Sequence, residues 1–404
     1  MKRGIALALA ALLLACAGLA HAAQAESRGS IRLIDIGPRD YWKENGIAKT
    51  DVSYDPWGDS LALLQGEDAA DLMVLRTYND DFTAFADAGL LADLSGSETI
   101  REAVSRMTPA VQAFITTEDG RILALPHAHY EQPFYWLEDA WQAAGLTQAD
   151  VPQSYTGLLD FLEKWIARIE REPEKEVCVS SLLYWNTGKA QYNDCYWLIE
   201  ALLTSWETQQ RYAGEPVHFG TAEFAALAER SREIGLALHK AEPGQQKREN
   251  MLQLFQNDIR GGKHANDGRD YGFSHTVPMR ITEDQPELMG VDCDLYVVRS
   301  GSPWLDEAIG FLESELQNDD WRRTYGLYAD FPAGVYDGCT IAQGWLDDCR
   351  DYAGEMVYYP HIFHIARGAE TGKESLMMKF FEGKISAQEM AEGFDRLIGY
   401  APQT

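Results

Sequence analysis

The apolar positions of this 404-residue chain follow two periods. Alternation at 31–36 reads as a first strand, and 51–54 as a second. Between them, 38–49 leaves room for only a brief helix. Residues 70–75, ADLMVL, form a continuous apolar run of the kind a strand buried on both faces carries. A turn at Asp119-Gly120 precedes a strand at 121–126, and 134–136 and 295–298 read as further short strands. The helical period marks 80–88 with Gly89 behind it, 137–144 closed by Gly145, and 154–169 with Leu158, Leu162, Trp165, Ile166 and Ile169 on one face. It also marks 224–238 and 251–255, while 182–206 is rich in Tyr and Trp. Ser302-Pro303 opens a helix carrying Leu305, Ala308, Ile309, Leu312 and Leu316 on one side. Ser386-Ala387-Gln388-Glu389 spells a capping box ahead of a stripe of Met390, Phe394 and Leu397. Strands interleaved with helices predict an α/β protein, and the length is too great for one ordinary core, so two lobes are expected.

The order of these elements carries a resemblance. The stretch 122–165 reads ILALPHAHYEQPFYWLEDAWQAAGLTQADVPQSYTGLLDFLEKW; LALLQG at 61–66 precedes ADLMVL; AGLLADL follows at 88–94; Phe331-Pro332-Ala333 and EGKIS at 382–386 come near the end. Together they resemble the extracellular solute-binding proteins of ABC importers, in particular the sugar-binding, maltose-binding-protein-like family. Two motifs depart from the family pattern: Tyr135-Trp136 stands where Tyr-Asn is usual, and Ser154-Tyr155 where Thr-Trp is usual. Serine can still cap the helix and tyrosine can still pack beside it. The resemblance implies a two-lobed periplasmic-binding-protein-like fold of type II with a ligand cleft between the lobes. One lobe would comprise 26–130 with about 265–330, the other 131–264 with about 331–404. It further implies capture of a small solute, a sugar or oligosaccharide first, by lobe closure, with delivery to ABC transporter membrane subunits and no cofactor. A cationic solute or peptide is the alternative ligand, and a sensor on the same fold the alternative role.

Charge narrows the partners. With 63 acidic against 35 basic residues the formal charge is -28, and such a surface repels phosphate backbones and anionic lipids, which excludes nucleic acid as an expected partner. Lys2-Arg3 followed by the apolar run 5–15 reads as a signal peptide over 1–25, so an exported, periplasmic or extracellular chain is expected. Small-x-small ends at Ala20-His21-Ala22 or Ala23-Gln24-Ala25 compete with a lipobox-like Leu13-Leu14-Ala15-Cys16, which would anchor the chain through a lipidated Cys16. Cys178, Cys195, Cys293, Cys339 and Cys349 remain. Nearness in sequence favours Cys178 with Cys195 and Cys339 with Cys349, leaving Cys293 buried as a thiol, although spacing does not determine connectivity.

Several motifs invite catalytic readings. Gly58-Asp59-Ser60-Leu61 spells the nucleophile block of an esterase class, yet no His has an Asp three residues before it to complete that class's Asp-x-x-His. As a helix start, Asp59 or Ser60 capping an apolar face explains the same letters. His127-x-His129 and His361-x-x-His364 could each turn two imidazoles to one face, but carboxylate or Cys partners at metal spacing are not evident. Glycosidase carboxylates need a geometry that sequence does not supply. The aromatic content, 11 Trp and 19 Tyr, says more, because sugar C–H faces pack on such rings. Trp57, Tyr78, Tyr130, Tyr184, Trp185 and Trp345 fall where the family places interlobe loops, with Arg76, His129, Asn186, Asn266 and Asp267 as polar partners. Core packing is the competing reading for each ring, and the preferred one for Trp165 and Trp304.

Overall fold

The computed structural model describes residues 29–36, 40–53, 61–66, 68–76, 82–131, 134–171, 177–178, 189–241, 249–250, 252–254, 274–277, 280–317, 327–336, 339–341, 356–358, 362 and 369–400. The chain divides into two compact units, one made of 1–107, 111–128 and 293–322, the other of 108–110, 129–292 and 323–404.

In the first unit, strands β1 (Ile31–Ile34), β2 (Lys49–Asp51) and β3 (Leu72–Arg76) are parallel in the order β2-β1-β3. Strand β4 (Leu125–Glu131) continues past Ala128 into the second unit, and β10 (Met289–Val298) enters the first at Cys293. β10 runs antiparallel to β3 and also pairs with β4, so the sheet is mixed. Leu72, Met73, Val74 and Leu75 are all buried, which accounts for the unbroken apolar run. Helix α1 (Tyr41–Glu44) is the brief one expected after β1; its Trp42 stacks on Phe311 with ring centroids 4.8 Å apart. Helices α2 (Phe82–Asp87) and α3 (Glu98–Ser105) follow, with Gly89 at φ +64° just beyond α2. Helix α4 (Pro109–Ile115) leads toward β4.

In the second unit, β5 (Phe134–Leu137) feeds directly into α5 (Glu138–Ala143), which Gly145 terminates at φ +71°. Helix α6 (Tyr155–Arg171) starts as its sequence requires: the Gly157 amide donates to Ser154 Oγ at 3.0 Å, and the amides of Tyr155 and Thr156 donate to the carbonyls of Arg280 and Ile281. Short β6 (Val177–Cys178) is followed by two twenty-residue helices, α7 (Asn193–Tyr212) and α8 (Ala222–Ala241). β6 pairs with β7 (Glu249–Asn250), and β5 lies between β8 (Leu252–Leu254) and β9 (Ser274–Val277), antiparallel to both. Helix α9 (Leu305–Leu316) belongs to the first unit, where Ala308, Phe311 and Leu312 are its buried residues. The hairpin of β11 (Gly334–Tyr336) and β12 (Cys339–Ile341) and the strand β13 (Met356–Tyr358), parallel to the start of β10, precede α10 (Ala369–Phe381) and α11 (Ala387–Leu397). α11 carries the capping box foreseen at Ser386 and Glu389. Its Asp395 accepts from the amides of Phe219 and Gly220 at 2.7 and 2.9 Å and from His218 Nε2 at 3.1 Å, fastening the C-terminal helix to the loop before α8.

The Tyr155 ring is fully buried and its hydroxyl donates to the Leu198 carbonyl at 2.8 Å, with Ser231 Oγ at 2.6 Å. Burial holds the phenol well above its ordinary pKa. Tyr155→Phe should lower stability by about 1 kcal/mol, read as a reduced urea midpoint at unchanged slope, because it removes the buried hydroxyl that links Leu198 and Ser231, although Ser231 Oγ keeps the Leu227 carbonyl. An unchanged midpoint would remove this contact from the reasons α6, α7 and α8 pack together.

Several expectations are corrected. Residues 252–254 are a strand rather than part of a helix over 251–255: their backbone pairs with β5, and long-range pairing overrides a short amphipathic pattern. The aromatic region near 182–206 holds most of α7, which was not foreseen. Residues 61–64 form a 3₁₀ turn, and the second strand is Lys49–Asp51. Trp304 is the N-cap residue of α9 and only half-buried, not a member of its core stripe. Cys195 carries a thiol and forms no disulfide with Cys178; it is sealed in the α7–α8 interface with Sγ 3.5 Å from the Arg232 carbonyl. Cys293 is buried in the thiol form, as expected. Cys349 lies outside the described residues.

Candidate functional site

Parallel strands put their C-terminal ends on one edge, and in open α/β sheets ligands gather there. The first unit has a built polar pair at that edge. Arg76 closes β3, and Asp35 follows β1 directly. Arg76 Nε donates to Asp35 Oδ2 at 3.1 Å, with the two side chains 36% and 34% exposed. Such half-exposed pairs contribute little stability, at most about 1 kcal/mol. Yet Asp35 holds φ +53°, a left-handed backbone that a residue with a Cβ adopts at some strain, and such strain tends to concentrate at binding sites. Next to Arg76 in the sheet register lies Asp294 of β10, which is buried. The guanidinium presents a planar set of donors and the carboxylate accepts, so a donor and an acceptor stand side by side, the pattern that adjacent hydroxyls of a polyol require.

Arg76 is the expected site residue whose side chain the structure places. His129 and Tyr130 lie in β4, where the backbone alone is described. Trp57, Tyr78, Tyr184, Trp185, Asn186, Asn266, Asp267 and Trp345 lie outside the described residues, as do Ser60, His361 and His364. Asp35 was missed because it read as an interior strand position; no sequence pattern announces a positive φ on aspartate.

Elsewhere among the described residues the chemistry is structural. Burial, with the neighbouring Asp194 charge, pushes the Cys195 thiol up to about 12, far from the range of a nucleophile. No group of three or more metal-ligating side chains occurs among the described residues. An open concavity of about 430 Å³ lies wholly in the second unit along α6, where Arg168 sits 5.3 Å over the Trp165 ring, and none of the expected site residues lines it. No described helix is long and apolar enough to cross a membrane.

With this geometry in place, comparisons with known proteins bear on it. The chain is similar to RafE in complex with raffinose, at 15% identity over 92% of this chain and 100% of that one, with a TM-score of 0.58. It is similar to a chitin oligosaccharide binding protein at 13% identity over 92% and 98%, TM-score 0.58. A third likeness, at 14% identity over 91% and 98% with a TM-score of 0.56, is to a sugar transporter from Bacillus licheniformis in complex with stachyose. At these identities the likeness establishes the fold, the two-lobed α/β fold of solute-binding proteins. Residues 39–233 match the family described as bacterial extracellular solute-binding protein. That match spans just under half of the chain, and over that stretch the chain is similar to this family of extracellular binding proteins. Curated protein sequences yielded no match.

Proposed function

We propose that the protein captures a carbohydrate outside the cytoplasm and hands it to the membrane subunits of an ABC importer without breaking a bond in it. The observation that carries this reading is the Arg76–Asp35 pair at the carboxyl edge of the parallel strands, held by a strained backbone where a salt bridge contributes little stability. The similar structures include complexes with raffinose and with stachyose and a chitin oligosaccharide binding protein, which supports a saccharide as the ligand class. The lobes we assign are 26–130 with about 265–330 and 131–264 with about 331–404, and the two compact units of the fold support a discontinuous arrangement of this kind. Capture works by ligand-biased closure of the lobes. The remaining ring and amide residues, from Trp57 to Trp345, complete the site on this reading. The N-terminus of the exported chain is freed near Ala22 or Ala25 or lipidated at Cys16, and the mass of the mature N-terminal peptide decides between them.

The test is thermal unfolding of the mature protein against raffinose, stachyose, chitin oligosaccharides, amino acids, peptides and polyamines, followed by analysis of each stabilising compound for conversion. A saccharide should raise the melting temperature by several degrees and be recovered intact. Arg76→Ala should then weaken that saccharide roughly 10- to 100-fold in calorimetry, the equivalent of one charge-assisted hydrogen bond, while leaving the unliganded melting temperature nearly unchanged. Stabilisation by polyamines alone would reassign the ligand, chemical conversion would make the protein an enzyme, and full affinity in Arg76→Ala would remove this edge from the site.

A further inference from the structure

Helix α6 has a second face that the core of its unit does not use. Leu158, Leu162, Trp165 and Ile169 are buried on one side, whereas Gly157, Phe161, Lys164, Arg168 and Arg171 recur at helical spacing along the open concavity of about 430 Å³. On an ordinary solvated face, acids pair with bases four residues away. Here the acids are drawn off: Asp160 and Glu163 both accept from Arg230 of α8, and Lys164 is exposed with no ion pair among the described residues. The wall beside it is rigid. Phe161 stacks on both Trp141 and Trp165, at centroid distances of 5.0 and 6.2 Å. Arg168 sits 5.3 Å over the Trp165 ring and donates through Nη2 to the Ala144 carbonyl, so its guanidinium is fixed before any ligand arrives. Arg171 is exposed, with Nε on the Ala167 carbonyl at 2.9 Å. Across from these cations stands Asp150, whose carboxylate already accepts from the Thr147 amide and hydroxyl, both at 2.8 Å. Those two bonds, with Arg168 and Lys164 adding to them, hold it below the usual carboxylate range. Glu283 lies at the other end, its Oε1 3.8 Å from where a Cβ on Gly157 would stand. Lys164 is seven residues further along, about 10 Å of helix. At this end three cations thus face one carboxylate that is already bonded, in a chain whose formal charge is -28.

We propose that this end of the groove is a second binding site, for an oxyanion: the phosphate, sulfate or carboxylate group of a small molecule, held by Arg168 with Lys164 and Arg171 one turn to either side. The guanidinium offers planar donors that meet two oxygens at once, and the flanking cations add charge to those hydrogen bonds. Half-buried Leu146 and Phe161 give the body of the molecule an apolar surface to lie on. The site lies wholly in the second unit and shares no residue with the Arg76 edge, so it stands or falls independently of the saccharide reading. The overall charge of the chain repels anions, and binding here therefore depends on these local contacts.

Calorimetric titration of the full mature chain with sodium phosphate, sodium sulfate and sodium citrate, at one ionic strength balanced with chloride, tests this. At least one should bind with a Kd below about 1 mM. Lys164→Gln combined with Arg171→Gln should weaken it by about 10-fold or more, as loss of charge-assisted hydrogen bonds does. Lys43→Gln combined with Lys240→Gln removes the same charge from exposed positions that do not line the groove, and should leave the affinity within about twofold. Binding of phosphate and sulfate alike marks a tetrahedral oxyanion and binding of citrate alone a carboxylate; either upholds the site. No saturable binding of any of the three up to about 10 mM, or equal weakening in the two double variants, overturns it. If the groove double variant does not fold, Lys164→Gln alone decides, since that side chain holds no ion pair among the described residues and unchanged affinity would overturn the proposal.

Discussion

Replacing Asp71 with alanine is expected to destabilise the first unit by about 3 kcal/mol, the loss typical when one member of a buried ion pair is removed. Asp71 is fully buried at the start of β3. Its Oδ1 accepts from Arg299 Nη2 and from Ser302 Oγ, both at 2.9 Å, and its Oδ2 accepts from the Arg32 amide at 2.9 Å. One carboxylate thus ties its own segment at the start of β3 to the inner strand β1 and to the turn between β10 and α9, three segments far apart in sequence. Alanine leaves Ser302 and Arg299 without this acceptor, and the Arg299 side chain is only 15% exposed, so little water can take its place. Arg299→Ala should cost less, because Asp71 then keeps Ser302 and the Arg32 amide. Urea unfolding gives the global figure, and exchange of the Leu72–Leu75 amides localises it. A loss under about 1 kcal/mol for Asp71→Ala would mean the network is neutral and the apolar strands alone set the sheet.

That residue also measures how far the fold is legible in the sequence. Ala70-Asp71 ahead of LMVL was conspicuous as a pattern, and so were the caps at Ser154 and Ser386 and the glycines at 89 and 145, because each rests on a local rule of backbone bonding or of positive φ. Helix α7 was not legible for the opposite reason. Its buried residues run almost without interruption from Asp194 to Thr208, so no polar face alternates with an apolar one and the helical period is washed out. The strand at 252–254 owes its state to β5, more than a hundred residues away, which a local window cannot see. Of the candidate site, Arg76 is expected from the resemblance as a polar partner of the interlobe rings, and its side chain lies against Asp35. Asp35 itself depends on a backbone angle, and backbone angles of single aspartates are not written in residue type.

Cys195 shows the same limit and leads to the other large effect. Gly235 in the middle of α8 faces α7 so closely that a Cβ built on it would lie 2.6 Å from the Cys195 nitrogen, 2.8 Å from its Cα and 2.9 Å from its Sγ. In a free helix, alanine would be favoured over this glycine by about 1 kcal/mol. Here Gly235→Ala should instead destabilise by about 2 kcal/mol, since overpacking a tight helix contact forces the two backbones apart. The nearest atoms decide how the test is read. Because the two closest contacts are to main chain, truncating the thiol does not make room: Cys195→Ala combined with Gly235→Ala should remain almost as unstable as Gly235→Ala alone. Recovery in the double variant would show that the sulfur, not the backbone, sets the spacing of α7 and α8. A stabilised Gly235→Ala would show that the helices can separate freely, and the glycine would then have no packing reason to be there.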